Sequence, residues 1–237
     1  MAEAVATKNR VAEVREKIGR AAEKSGRSPD SVAIIAVGKT HPAADFYPIM
    51  EAGIWHFGES RVQEAEDKIP QLTDQEITWH MIGHLQRNKA GDALEIFDQL
   101  HSLDSKRLAR RLQQQMEKLG IEWFPTFVQV NTSGEQSKYG IDPKALKPLM
   151  DLVADECPRL KIKGLMTMAP LTEDEKKIRE TFRRLRELSI NTNTDDYPNA
   201  ELGSLSMGMT NDYEIAVEEG ATHVRIGRAI FGERLSR

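Results

Sequence analysis

Lys39 closes the run VAIIAVGKTHP, and it is the residue in this chain best placed to do covalent chemistry. Val32 to Val37 is continuously apolar and rich in β-branched residues, as expected of a strand buried on both faces in a parallel sheet. The carboxyl end of such a strand points toward a ligand crevice. Gly38 removes side-chain bulk beside the lysine and Pro42 opens the next element, so Lys39 is expected at a sheltered strand-to-loop junction. A lysine amine held in a partly dry place loses its charge more readily than in water, and the neutral amine condenses with carbonyls. The segment alone leaves two readings open: a Schiff-base lysine, or a lysine that snorkels to water or pairs with a carboxylate.

A second set of candidates lies near the end of the chain. SMGMTND and RIGRAIFG offer the hydroxyls of Ser206 and Thr210, with Gly208 and Gly227 freeing the backbone and helices expected to begin near Thr210 and Arg228. Backbone N–H groups in such turns hold phosphate. Ordinary turn chemistry, with Thr210 as an N-cap, accounts for the same glycines. A lysine that captures an aldehyde and a nest that captures phosphate together suggest a ligand carrying both groups, and pyridoxal phosphate is one.

These residues need a frame, and strand-like runs alternate with helix-like stretches along the chain. After an amphipathic opening helix at about 5–25, the strand candidates are VAIIAVG, IWHFG from Ile54, TWHMIG from Thr78, FDQLHSL from Phe97, FPTFVQV from Phe124, KIKGLMT from Lys161, ELGSLSM from Glu201 and HVRIG from His223. Between them, DSKRLARRLQQQMEKLG repeats Leu108, Leu112, Met116 and Leu119 on one helix face and ends at Gly120, a helix stop. TEDEKKIRETFRRLREL has Thr and acidic residues first and basic residues later, as the helix dipole prefers. About eight parallel strands fit a closed (β/α)8 barrel. An open doubly wound sheet is the alternative, but no GxGxxG follows the first strand, which disfavours its dinucleotide-binding form. No linker divides the chain, so 1–237 reads as a single domain, with NTNTDDYPN from Asn191 as a polar surface loop. In a barrel the active site forms at the strands' carboxyl ends, where Lys39, Glu59, Ser60, His84, Asn131, Ser206 and Arg225 are expected to converge.

Composition narrows the classes. Lys and Arg total 33 against 37 Asp and Glu, a net charge of −4 without long blocks of either sign, so a nucleic-acid footprint is absent. Cys157 is the only cysteine, which excludes a disulfide framework and a thiolate metal cluster and favours a reducing, cytoplasmic setting. The opening residues mix charge at helical spacing without an uninterrupted apolar run, so neither a signal peptide nor a membrane span is expected.

The segments AVGKTHP, HFGESRVQE, WHMIGHLQRNK, VNTSGEQSKYG, GLMTMAP and LSMGMTNDYEIAVEEGATHVRIGRAIFG resemble, in order from about Val32 to Gly232, the pyridoxal phosphate homeostasis protein family. The resemblance implies a single-domain TIM barrel of the alanine racemase N-terminal-domain type, with pyridoxal 5'-phosphate as an internal aldimine on Lys39. It also implies that Ser206 and the backbone of Gly227 and Arg228 hold the phosphate and that Arg225 faces the pyridine nitrogen. A guanidinium there is always protonated, so it disfavours a pyridinium and makes the ring a poorer electron sink. The chain ends about where the barrel ends, so no second domain is expected to supply an opposite-face base and a dry wall. A carrier or regulator of the cofactor is therefore favoured over an efficient enzyme. The alternatives are a small amino-acid racemase or lyase and, from barrel chemistry alone, a cofactor-free Schiff-base aldolase.

Two departures from the family pattern stand out. Ser60 replaces the amide of FGEN, with a shorter reach, and His41 replaces a lysine two residues after Lys39, which would make any charge there pH-dependent. His80 and His84 have metal-ligand spacing but no third ligand in view, so His80 reads as a satisfied core or barrel-edge histidine and His84 as bordering the cofactor mouth. Met166 and Met168 either line the cofactor or pack the barrel, Lys138 reads by default as an exposed loop lysine, and Cys157 as quiet packing near a helix end. The expected partners are pyridoxal phosphate and the apoenzymes that use it; no nucleic acid and no membrane are expected, and the absence of an exposed apolar seam favours a monomer.

Overall fold

A computed structural model describes residues 2–73, 76–135, 138–192 and 197–232. Among them, parallel strands close into one barrel in chain order: β1 (Ala33–Val37), β2 (His56–Glu59), β3 (Thr78–Met81), β4 (Gln99–Leu103), β5 (Phe124–Gln129), β6 (Leu160–Met166), β7 (Ala200–Ser206) and β8 (His223–Ile226). β1 pairs with β8 through Ala33 to His223 and Ala36 to Ile226, which closes the ring. All eight expected strands are in place within two residues at either end. The described helices are α1 (Ala2–Lys24), α2 (Tyr47–Glu51), α3 (Val62–Lys68), α4 (Ala90–Ile96), α5 (Lys106–Leu119), α6 (Leu146–Glu156), α7 (Glu175–Asn191), α8 (Tyr213–Glu218) and α9 (Arg228–Phe231).

The main apolar core lies between the strands and the helices. The Phe46 ring lies tilted 4.8 Å from Phe57 and 5.8 Å from Trp79, all three buried, and each such ring contributes on the order of 2–3 kcal/mol by burial. Phe46 lies where a Cβ at Gly38 would be, so only glycine lets the end of β1 rest on this layer. α1 buries Val11, Val14, Ile18, Ala21 and Ala22 at helical spacing and packs on α2, α8 and α9, across the β1–β8 seam.

Local signals explain the helix ends. Ser105 caps α5 by accepting from the Leu108 amide, and Gly120 ends it with φ 71. Leu108, Leu112 and Met116 are buried, but Leu119, expected on the same face, is 40% exposed because the helix ends before a neighbour covers it. Asp174 caps α7, accepting from the Lys176 and Lys177 amides, while Thr172 stands outside the helix and accepts from the Asp174 amide. Of the NTNTDDYPN stretch, residues 193–196 lie outside the described residues, and Tyr197 beyond them is buried.

The barrel lumen is polar. Large branched apolar side chains usually fill it, but here His56, His80, His101 and His223 occupy it with Arg225 and Ser206. The small residues Gly58, Gly164 and Ser204 make room for them. A Cβ at Gly58 would meet Ile35, and one at Gly164 would strike the Ser204 backbone.

Candidate cofactor site at the barrel mouth

The exits of β1, β7 and β8 are adjacent, with β8 in the middle. Lys39 lies in the turn just past the end of β1, at the mouth of the barrel. Lys39 is exposed and makes no hydrogen bond or ion pair with the described residues, so the sheltered position expected from sequence is corrected: the β1 exit leaves the lysine open to solvent. Its backbone is fixed. Lys68 Nζ donates to the Gly38 carbonyl at 2.7 Å, the Thr40 amide donates to Glu64 at 3.3 Å, and Thr40 is held at φ 68, a conformation that costs a β-branched residue on the order of 1 kcal/mol or more.

Glu59, expected among the mouth groups, is turned away from them. Two residues after Phe57 on β2, it faces the helix layer, fully buried, and pairs there with Lys68 of α3. Glu59 Oε2 has no partner, and burial raises the carboxyl's pKa against the lowering effect of Lys68. Sequence reading missed Lys68. Its signal is the spacing of Val62, Ala65 and Lys68 along α3, which places the lysine on the buried row.

On the other side of the mouth, Gly208 has φ 94, and a Cβ there would lie 2.6 Å from Ala216 Cβ. Its carbonyl accepts from the Arg225 amide at 2.9 Å, tying the β7 exit to β8. The Met209 amide is taken by Asp212 at 2.6 Å. The Thr210 hydroxyl and amide and the Arg228 and Ala229 amides have no partner among the described residues. α9 begins at Arg228, as expected, but α8 begins at Tyr213 after Asp212, so Thr210 is not an N-cap. The turn at 210–212 consumes the residues that the sequence pattern assigned to the helix.

Arg225, 3% exposed, lies beneath the mouth. It donates from Nη1 to Ser206 Oγ at 2.8 Å and from Nη2 to the Thr167 carbonyl at 2.9 Å. Burial lowers its pKa to about 10, partly offset by Asp212, so it stays cationic at neutral pH. Ser206 is fully buried, and its Oγ also meets His101 Nδ1 at 2.8 Å. A file continues from there: His101 Nε2 to His80 Nδ1 at 2.9 Å, and His80 Nε2 to His56 Nδ1 at 3.0 Å. Burial holds His80 and His101 well below the usual histidine range and lowers His56; it pushes His223 down to about 4.

Met166, buried, is in register with Ser206 on β6. Ser60 is half-buried at the β2 exit, its backbone against Gly83. His84 is on the exposed rim, bonded to Asp104 at 2.9 Å and stacked on Tyr139 at 4.4 Å. Both ring nitrogens of His80 are occupied within the file, so His80 and His84 do not form a ligand pair. Asn131 leaves the expected cluster: it folds its own loop, accepting from Ser133 and Gly134 and donating to Glu135. Lys138 is half-buried, not exposed, donating to the Ala169 carbonyl and pairing with Glu135. In the same loop, Gln136 and Ser137 lie outside the described residues. His41 bonds Asp45 at 3.0 Å and stacks on Phe231 at 4.5 Å. Cys157 is buried at the end of α6, its thiol pushed up to about 11 by burial.

An unencumbered amine, a nest of unpartnered donors and a fixed buried cation, on three adjacent strands, fit a ligand that carries an aldehyde, a phosphate and a ring nitrogen. Fold and site thus define a class, the alanine racemase N-terminal domain, whose family model matches residues 10–235. The chain is 39% identical to the pyridoxal phosphate homeostasis protein of Aquifex aeolicus, covering 95% of this chain and 97% of that one. It is 40% identical to the protein of that name from Escherichia coli, over 94% and 95%. PipY of Synechococcus elongatus, solved with pyridoxal phosphate bound, superposes with a TM-score of 0.82 at 37% identity, covering 95% of this chain and all of that one (100%). The chain belongs to the pyridoxal phosphate homeostasis protein family.

Proposed function

We propose that this protein binds pyridoxal 5'-phosphate at the barrel mouth and buffers or delivers it, serving vitamin B6 and amino-acid balance in the cytoplasm. The observation that carries the reading is the free Lys39 amine at the β1 exit, with unpartnered donors at the neighbouring β8 and β7 exits. Lys39 would bond the aldehyde carbon. Ser206, Thr210 and the backbone of Gly227 and Arg228 would hold the phosphate, and Arg225 would face the ring nitrogen. Ser60, His84 and Met166 border the ligand. When bound, the cofactor supplies an electrophilic carbon and an electron-withdrawing ring. Arg225, already cationic, opposes protonation of that ring, and an open, wet mouth weakens the electrostatics on which fast chemistry depends. These features favour a carrier over an efficient enzyme, and the homeostasis names of the relatives agree with that; the carrier is taken to act as a monomer on the apoenzymes that use the cofactor.

The test is the visible spectrum of the protein incubated with pyridoxal phosphate, then borohydride reduction and mass mapping. Reduction onto Lys39, and its loss in Lys39→Ala, are expected; label scattered over surface lysines refutes the site. The carrier reading is tested separately by α-proton exchange of an amino-acid panel in deuterated water. Sustained turnover that disappears in Lys39→Ala would make the protein a small racemase or lyase instead.

A further inference from the structure

The file from His56 to Ser206 links the lower end of the barrel to the mouth, and its hydrogen bonds have a direction. A neutral imidazole donates from one nitrogen and accepts at the other. Arg225 only donates, so Ser206 Oγ already accepts one hydrogen bond from Nη1. Two arrangements of the file remain. In the first, Ser206 donates its hydroxyl to His101 Nδ1, His101 Nε2–H donates to His80 Nδ1, and His80 Nε2–H donates to His56 Nδ1. In the second every bond is reversed: His56 Nδ1–H donates to His80, His80 Nδ1–H to His101, and His101 Nδ1–H to Ser206, whose own hydroxyl proton then needs another acceptor.

Ser206 is fully buried and has no such acceptor among the described residues. In the free protein the first arrangement gives the Ser206 hydroxyl proton an acceptor, while the second leaves that buried O–H unpaired. The difference makes the first dominant by about fivefold or more. A proton added to His56 changes the balance. An imidazolium donates from both nitrogens, so His56 Nδ1 can no longer accept from His80, and the file must run the other way. The free form plus one proton becomes the reversed form, with two protons on His56, one each on His80 and His101, and one on Ser206. A charged His56 and a Ser206 hydroxyl turned toward His101 exclude one another.

We infer that His56, His80 and His101 are positioning residues that couple proton occupancy at the lower end of the barrel to the direction of the Ser206 hydroxyl beside Arg225. A ligand that presents an acceptor to Ser206, such as a phosphate oxygen, favours the reversed file. By linkage it also favours a proton on His56, and an added proton strengthens binding of that ligand by the same factor. The other groups facing the file are His223 of β8, which lies near His56, His80 and His101, and Arg225, which faces His101 and is itself opposed by Asp212. The β1 neighbour of His56 is the apolar Ile35. His223 bonds Thr222 instead of joining the file, so the route has one end at Ser206 and one at His56.

The experiment is long-range proton–nitrogen NMR of the full chain labelled with ¹⁵N-histidine, with and without pyridoxal phosphate, while cofactor binding is followed independently by absorbance. In the free protein at neutral pH, His56, His80 and His101 are expected as Nε2–H tautomers; Nδ1–H on His101, or an even mixture, overturns the inference. On acidification His101 is expected to turn to Nδ1–H as His56 gains its proton, and His80→Asn is expected to uncouple them; a His101 that ignores His56 in the wild-type chain overturns it too. The ligand arm rests on the function proposed above and is read separately. Bound cofactor with His101 turned to Nδ1–H supports the coupling, and bound cofactor with an unchanged file refutes it while leaving the cofactor reading intact. No cofactor band refutes the cofactor reading, and the free-protein tautomers still decide the file.

Discussion

At the scale of single residues, the polar groups inside the barrel are costly to disturb because each satisfies another. Ser206→Ala leaves a buried guanidinium N–H and a buried imidazole without their partner. The variant is expected to lose about 1–3 kcal/mol of stability, read as a lower urea midpoint with an unchanged slope. Lys68→Met strands the Glu59 carboxylate and is expected to cost about 3–5 kcal/mol, most of it regained in the double variant with Glu59→Leu; urea unfolding of the three variants checks this. Lys39 was legible in the sequence because a lysine ending an apolar β-branched run is rare in kind. Its exposure was not, since openness at a barrel rim depends on the loops that fail to cover it. The histidine file was hidden for another reason: in a strand apolar on both faces, alternation does not tell lumen from helix side, so His56, His101 and His223 looked like any polar residues within β2, β4 and β8.

At the scale of elements, the positions of all eight strands were readable, because turn residues and apolar runs alternate so regularly in the chain. What failed was the first turn of α8. Thr210 has the residue type of an N-cap, but Asp212 captures the Met209 amide and the helix starts after it. This tertiary detail is also what leaves the Thr210 donors free. The β7 exit depends on backbone geometry at Gly208, where φ is 94 and Ala216 stands 2.6 Å from the place of a Cβ. Gly208→Ala is expected to destabilise by roughly 1–3 kcal/mol and to weaken pyridoxal phosphate binding more than Gly203→Ala, an exposed position with nothing nearby; thermal melts and absorbance titrations of the two variants compare them.

At the scale of the whole molecule, buried neutral histidines set the response to acid. Their folded pKa values lie below the unfolded value of about 6.5, with His223 at about 4 and His56, His80 and His101 lowered by burial. As pH falls below about 6.5 the unfolded chain binds these protons first, so stability drops by about 1.4 kcal/mol per pH unit for each histidine still neutral in the fold. Glu59 and Asp212, raised by burial, act with the opposite sign over the carboxylate range. Urea unfolding at a series of pH values is expected to show full stability above about 6.5 and a fall steeper than a single ionisation allows below it; a flat profile would mean that the lumen histidines take up protons without unfolding.

The pairing of β1 with β8 has a bearing on biosynthesis. The amine proposed to take the aldehyde is made near the beginning of the chain, and the donors proposed to take the phosphate follow strands made near its end. Bringing them together requires the longest loop closure in the fold, locked from outside by Arg10 of α1, which donates to the Ile230 and Phe231 carbonyls. A nascent or truncated polypeptide lacking β8 keeps Lys39 and Thr210 but has neither Arg225 nor the turn at Gly227, and its barrel cannot close.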